Sequence, residues 1–486
     1  MARTSVAKNF VFNSLYQILR VLTPLVTTPY LARVLGGELM GEFSYTQSVA
    51  IYFTQFASLG IMKYGARAIA TTTTREERTK VFWSVYFSLL VVAATVFVTY
   101  IAYLFMLSGD DLIWGIAWSS YVAAEMINIS WLFFGVEDFK LTATRSIIIK
   151  FVQLVLIFTL VKSRDDFLIY LLLVAGEYFA TQLSVWPFVK QHVDFYRPRW
   201  DEIRQHFLPN FKLFIPVIAV SLYNHLNSIM MGVMCTKLET AFYSYPYRIA
   251  TLPLAIITAL GTVMMPRMSS KIAENDEEGG LALIRKSLWI MLAFAFAFMW
   301  GIIGVANEFV PMFFGEEFLP CTPNVMVLAA VVPIISTTNV IGVQYLLPHF
   351  RDGDYTRSVI VGAVVNIIAS FALISLVRSF GASLGTVIAE GAVMVAQMFM
   401  VKGDLPLKRY VFDAAPFLAI GAVMAAAIRF ASPMIIAVAG SGVIGVLAEV
   451  LFGAVVYAVL AIGFCLITKN EIFEDLFVAR IRRISA

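Results

Sequence analysis

Charge is scarce in this chain. Asp, Glu, Lys and Arg make up 14% of its 486 residues, where a soluble protein carries about 25%. Cysteine is rarer still: Cys235, Cys321 and Cys465 form no CxxC pair and no even set, so the chain offers neither a disulfide framework nor paired thiolate ligands. Cys235 and Cys321 both fall near the non-cytoplasmic face, where a bridge has room to form, but separate thiols are the preferred reading. Four histidines (His192, His206, His225, His349) are scattered without ligand spacing, and no metal or other cofactor is expected. No GxxxxGK[ST] occurs, and no loop is long enough to hold an ATPase domain. Nothing points to nucleic acid. The outer loop near Asn307–Pro320 carries Glu308, Glu316 and Glu317, read as solvated carboxylates and not as a catalytic set.

What is abundant is apolar surface. The chain is 60% hydrophobic with 40 Phe and a mean hydropathy of +0.81. That describes an all-α membrane protein, since lipid offers no partners for backbone polar groups outside helices. Fourteen apolar segments of about spanning length occur at 10–32, 43–62, 82–106, 112–134, 146–161, 167–189, 208–233, 241–266, 287–306, 323–347, 358–377, 384–401, 412–430 and 441–467. The fifth is short, and the seventh and eighth are closely spaced, so twelve or thirteen spans stay open. The first segment is too long for a signal sequence and contains Arg20 and two prolines. It is read as a retained span.

Lys and Arg divide unequally between the two sets of alternate loops, 26 against six. The positive-inside rule then places both termini in the cytoplasm. Phe43-Ser44-Tyr45 and Arg67 recur as Tyr243-Ser244-Tyr245 and Arg267, each 200 residues on. Six spans separate the copies. The expectation is two pseudo-symmetric six-helix lobes, 1–205 and 206–405, followed by 406–486 with two further helices and a tail. Repeats of this kind build transporters whose site lies at mid-membrane.

Ionisable residues within spans are expensive and mark function by default. Arg20 stands about 15 Å into the first span, near half the hydrocarbon depth, and cannot easily reach either surface. Lys150 and Lys212 lie about one turn from a boundary and can snorkel. Arg248 sits in the aromatic run Tyr243-Ser-Tyr-Pro-Tyr247, where lining a cavity and snorkelling fit equally well. The acidic set is Glu125, Glu177, Glu390 and Glu449. Each can form an ion pair or carry a proton for ion coupling. Gln17, Asn339 and Gln344 stand among many span amides that either join helices or meet a polar ligand.

Tyr64-Gly-Ala-Arg67 and three longer stretches carry a resemblance. The longer ones are Leu15-Tyr-Gln17, Pro24-Leu, Thr27-Thr-Pro-Tyr-Leu31 and Arg33-Val-Leu-Gly36; Asn128-Ile-Ser-Trp131 with Gly135-Val-Glu-Asp-Phe139, Arg145 and Lys150; and Asn339-Val-Ile-Gly-Val-Gln344 with Asn366, Gly381-Ala382 and Glu390. Together they resemble Wzx-type polysaccharide flippases, in the MOP superfamily that also holds the MATE exporters and the lipid II flippases. The resemblance implies a MATE-like bundle of about 14 helices around a cationic lumen in the bacterial inner membrane. It implies flipping of an undecaprenyl-diphosphate-linked oligosaccharide to the periplasmic leaflet, with polymerase and ligase proteins as neighbours in glycan assembly. Arg20, Arg33 and Arg248 would then meet the diphosphate, since Arg suits bidentate phosphate contact, and Gln17, Asn339 and Gln344 the sugar hydroxyls. Two positions depart from the usual pattern. Asn227-Ser228 stands where span seven usually has an Asp-Lys pair, and Arg248 where span eight usually has Lys. A MATE-like drug exporter driven by H⁺ or Na⁺ is the second reading, although Arg20 and Arg248 are the wrong charge for cationic drugs. A membrane-embedded glycan-assembly enzyme is the third, and it lacks the long outer loop it needs.

Overall fold

Helices account for nearly all regular structure in the computed structural model, which describes the backbone of residues 2–475. Side chains are described from residue 22, save 139–140, 215–217, 219–220, 222–224 and 262–263. Among the described residues there is no strand. The chain forms two compact units, Met1–Ala241 and Phe242–Ala486.

The first unit contains α1 (Ala2–Ser58), α2 (Ile61–Ala70), α3 (Arg75–Leu104), α4 (Gly109–Ala123), α5 (Ser130–Gly135), α6 (Phe139–Leu160), α7 (Phe167–Leu183), α8 (Trp200–Arg204) and α9 (Phe207–Met234). The division then falls inside α10 (Lys237–Ala250). The second unit continues with α11 (Leu254–Ala273), α12 (Glu277–Phe314), α13 (Thr322–Leu328), α14 (Val331–Thr338), a π turn at Asn339–Leu346, α15 (Asp352–Met400), α16 (Leu407–Ala439), α17 (Val443–Ile467) and α18 (Glu471–Phe473).

Eight helices or helix runs among the described residues are long and apolar enough to cross a bilayer, nine when α10 and α11, bent by 45°, count as one. Each of the fourteen apolar segments falls on a helix or a run of short ones. Two pairs of segments follow one another within α1 and within α15, each of which is two helices joined at a kink. In α1 the break is Gly36, at φ +80°. A β-carbon there would be strained by that φ and would lie 2.6 Å from the Arg164 guanidinium. In α15 the break is Val377–Arg378, with Arg378 at φ +50°, ψ −127°. Gly381 makes the fold-back possible, since its β-carbon would sit 2.0 Å from the Leu373 carbonyl oxygen.

Helix starts follow local chemistry. Thr74 caps α3 by accepting from the Glu77 N–H at 3.2 Å, and Asp276 caps α12 through the Gly279 N–H at 2.8 Å. Such caps satisfy donors that the first helical turn leaves open. Helix α12 runs further than its apolar segment suggests. Glu308, expected in a solvated loop, lies within it, because Val310 and Phe314 keep burying apolar surface until Gly315, at φ +99°, stops the helix.

Packing in the first unit centres on Phe82, Leu89, Trp131 and Phe133. In the second it centres on Leu288, Met291, Ile341 and Leu346. Helices α16 and α17 close on α12 through Trp289 and Phe417, 5.0 Å apart edge to face, and through the Tyr457 hydroxyl, which donates to the Ala293 carbonyl at 2.6 Å. An apolar cavity of about 620 Å³ remains there, lined by Phe294, Phe298, Phe309, Phe417 and Tyr457 among others.

Candidate functional site

In the first unit, a buried polar network gathers where α4 ends. The turn Ala124–Ile127 interrupts the helix and turns Glu125, 2% exposed, inward. Tyr178 on α7 donates its hydroxyl hydrogen to one carboxyl oxygen of Glu125. Asn128 donates to the other at 3.0 Å. Ser130 extends the network to Gln182 at 3.1 Å. All these donors are neutral, so the group is a carboxyl held by hydrogen bonds without a countercharge.

Glu177, on the same helix as Tyr178, has a different environment. Lys150 of α6 approaches it at 3.5 Å, so this lysine turns to a carboxylate instead of snorkelling. Arg145, about one turn earlier on α6, donates to the Ser184 hydroxyl at 2.7 Å and to the Thr181 carbonyl.

The second half of α1 meets the start of α10 in an ion pair that sequence reasoning missed. Lys237 lies 3.3 Å from Glu42 and 3.6 Å from the centre of the Tyr45 ring. The approach depends on Gly41, whose β-carbon would fall 1.6 Å from the Lys237 carbonyl oxygen. Gly232 of α9 likewise lies flat beneath Tyr45, where a β-carbon would come within 2.1 Å of the ring. Opposite charges at the starts of spans two and eight, beside small residues, were the available signal.

In the second unit, α10 and the second half of α15 carry a matched ladder. The Tyr243 hydroxyl bonds with that of Thr386 at 3.0 Å, and Tyr243 stacks on Tyr247 at 5.9 Å. Glu390, buried and one turn beyond Thr386, lies within electrostatic range of Tyr247. Arg248 follows in the last turn of α10, with its guanidinium 5.2 Å from the Tyr245 ring. Arg248 and Glu390, 142 positions apart in sequence, thus stand on two helices joined by the Tyr243–Thr386 bond.

Asn339 and Gln344 meet in the π turn. Gln344, 1% exposed, donates to the Asn339 side-chain oxygen at 3.3 Å and accepts from Ser287 of α12 at 2.6 Å. Gly261 of α11 packs directly on Asn339. This places both amides within a helix-joining network. Arg33 is exposed and donates to the Pro29 carbonyl at 2.7 Å, just before the Gly36 break. Arg20 and Gln17 lie on the backbone of α1, and their side chains fall outside the described ones. Among the described residues no group of three or more His, Cys, Asp or Glu side chains is arranged to hold a metal ion.

Buried acids, span-embedded arginines and broken helices are features of membrane transport. Comparison with known proteins points the same way. An Escherichia coli (strain K12) protein carrying the name O-antigen transporter is 24% identical over 405 residues, which is 82% of this chain and 97% of that protein. The structure of the lipid II flippase MurJ, in an inward closed conformation, matches with a TM-score of 0.69 at 15% identity, over 95% of this chain and all of the other. An inward-facing MATE multidrug resistance transporter of the MOP superfamily matches with a TM-score of 0.55 at 14% identity, over 80% and 94%. Likeness at these identities concerns the fold, and the fold is the helix bundle of MOP transporters. The profile of the polysaccharide biosynthesis protein family covers residues 6–273, and this chain, a multi-pass membrane protein, belongs to that family.

Proposed function

We propose that the protein is a flippase, not an enzyme, and that it moves an undecaprenyl-diphosphate-linked oligosaccharide from the cytoplasmic to the periplasmic leaflet of a bacterial inner membrane. The observation that carries this reading is family membership over more than half the chain, joined to arginines that the sequence sets within its apolar segments. Both termini face the cytoplasm in this reading, and 1–205 and 206–405 act as two lobes in alternating access. A diphosphate needs cations in a wet cavity. Arg20, Arg248 and, at the outer mouth, Arg33 supply them. The apolar cavity beside α12, α16 and α17 is suited in chemistry to a polyprenyl tail. Glycan polymerase and ligase proteins would act on the delivered product.

The test is complementation of a flippase-null strain. Arg20→Ala is expected to abolish surface polysaccharide while the protein inserts at its normal level, with the lipid-linked intermediate held on the cytoplasmic side. Full rescue by Arg20→Gln would overturn the role of its charge. Drug resistance without any polysaccharide phenotype would overturn the substrate class.

A further inference from the structure

A second cluster of ionisable side chains, which includes Glu449 of the acidic set, lies apart from the residues proposed to meet the substrate. It joins α12, α16 and α17. Arg429 of α16 approaches Glu308 of α12 at 3.8 Å and donates to the Ile303 carbonyl at 3.1 Å. Ser432, one turn along α16, donates to the other Glu308 oxygen at 3.2 Å. Glu449 of α17 faces this group and is fully buried, 0% exposed. Ser432 stands beside its carboxyl, yet its hydrogen bond goes to Glu308, and neither Glu449 oxygen has a hydrogen-bond partner.

The sequence of α17 aims Glu449 inward. Gly445, Glu449 and Gly453 recur every four residues on the one buried stripe of a helix whose other faces are mostly exposed. Gly453 packs onto Ile428 of α16, where a β-carbon would come within 2.6 Å. Glycines on either side of the glutamate draw α17 against its neighbour and exclude water from it.

The charges do not balance. Two carboxyls face one guanidinium, which can neutralise only one of them. Glu308 holds Arg429, and α17 adds no other charged group to the cluster. A buried carboxylate with no hydrogen-bond donor, beside a guanidinium already paired with another carboxylate, is strongly disfavoured, which favours a proton on Glu449. Sodium is a poorer occupant, because the nearby guanidinium repels it and the cluster offers too few oxygens for a coordination shell.

We propose that Glu449 and Glu308 form a proton-binding pair that shares one proton and the Arg429 guanidinium. On release, the Glu449 O–H bond breaks, its electron pair stays on the carboxylate, and the proton passes to the Glu308 carboxylate, 19% exposed, and from it to water, while Arg429 keeps all its protons and changes only its pairing. Arg429 then divides between two carboxylates, and α16 and α17 shift against α12. The site lies about 9 Å, or under two turns, from the nearer ends of α12 and α17, close enough to one aqueous face to sense its pH. Any coupling of this proton to transport rests on the flippase reading; the proton site does not.

Infrared difference spectroscopy on the full chain in lipid nanodiscs, titrated with pH, tests the site. A protonated-carboxyl band is expected to titrate in the parent protein and be lost in Glu449→Gln. It should also be lost in Glu308→Gln, where Arg429 is free to pair with an ionised Glu449, an outcome that a merely structural glutamate would not produce. Glu125→Gln should leave that band in place. A spectrum unchanged by Glu449→Gln overturns the proposal. So does loss of the band on replacing choline chloride with sodium chloride at fixed pH, which would mark a sodium site. Cells carrying Glu449→Gln are expected to lose surface polysaccharide. Normal polysaccharide with the band absent would overturn the coupling and leave the proton site standing.

Discussion

Tyr178 donates its hydroxyl hydrogen to Glu125 across the α4–α7 interface, inside a network whose other donors are also neutral. Removing the acceptor should therefore cost more than removing the charge. Glu125→Ala leaves the Tyr178 and Asn128 donors unpaired, at about 1–3 kcal/mol for each buried group. Glu125→Gln keeps an acceptor of the same shape. Thermal unfolding in detergent is expected to rank the parent protein above Glu125→Gln, and Glu125→Gln above Glu125→Ala.

The Glu42–Lys237 pair invites a double-mutant cycle. Its side chains are only 10% and 25% exposed, so losing one partner leaves the other poorly solvated, a loss of about 3–5 kcal/mol for a fully buried pair and less here. Glu42→Gln with Lys237→Met should recover part of either single loss. A coupling of about 1–3 kcal/mol is expected. Strict additivity of the two melting shifts would contradict the pairing.

Glycine replacements separate close approach from helix propensity. Gly41→Ala puts a methyl 1.6 Å from a backbone oxygen, whereas the same change at Gly391 meets nothing within 4 Å. Gly391→Ala should stabilise by about 0.4–1 kcal/mol, because alanine has less freedom to lose on folding. Gly41→Ala should lower the melting temperature sharply or reduce the yield of folded protein. Equal effects at the two sites would show that the α1–α10 contact is looser than described.

His206 gives a pH dependence outside the apolar spans. It caps the entry to α9 between the Tyr64 hydroxyl, at 2.6 Å, and the Ser84 hydroxyl, at 2.9 Å. Burial pushes its pKa below the ordinary 6.5. The folded state therefore resists a proton that the unfolded chain accepts. This contribution to stability is full above about 6.5 and is lost as pH falls toward the lowered folded value. The melting temperature should drop on acidification below about 6.5, with a shallower slope in His206→Gln.

Much of the architecture is written in the order of apolar segments, because a bilayer leaves a buried backbone little choice beyond the helix. The individual breaks are legible only afterwards. Gly36 stands in a row with Gly37 and Gly41, and nothing local says which one turns the chain and which one admits a neighbour. Arg378, a bulky residue at positive φ, is not predictable from its type. The candidate charges divide in the same way. Arg248 and Glu390 announce themselves by sitting in apolar runs, but their placement on one helix pair depends on folding across 142 residues. Glu308 looked like a loop residue because only the third dimension supplies Arg429 and Ser432. Glu42 and Lys237 drew no reading as a pair from the sequence, since their pairing too depends on the fold.

The breaks in α1 and α15 also bear on how motion can pass through each unit. A joint of one residue at Gly36, or two at Val377–Arg378, can swivel but cannot lengthen, since successive Cα atoms stay 3.8 Å apart. A piston-like shift of one span must therefore drag its partner with it. Helices α6 and α7, joined through Val161–Asp166, have slack that absorbs such a shift. Across Val161–Asp166 neighbouring helices are thus freer to slide independently than across the breaks in α1 and α15.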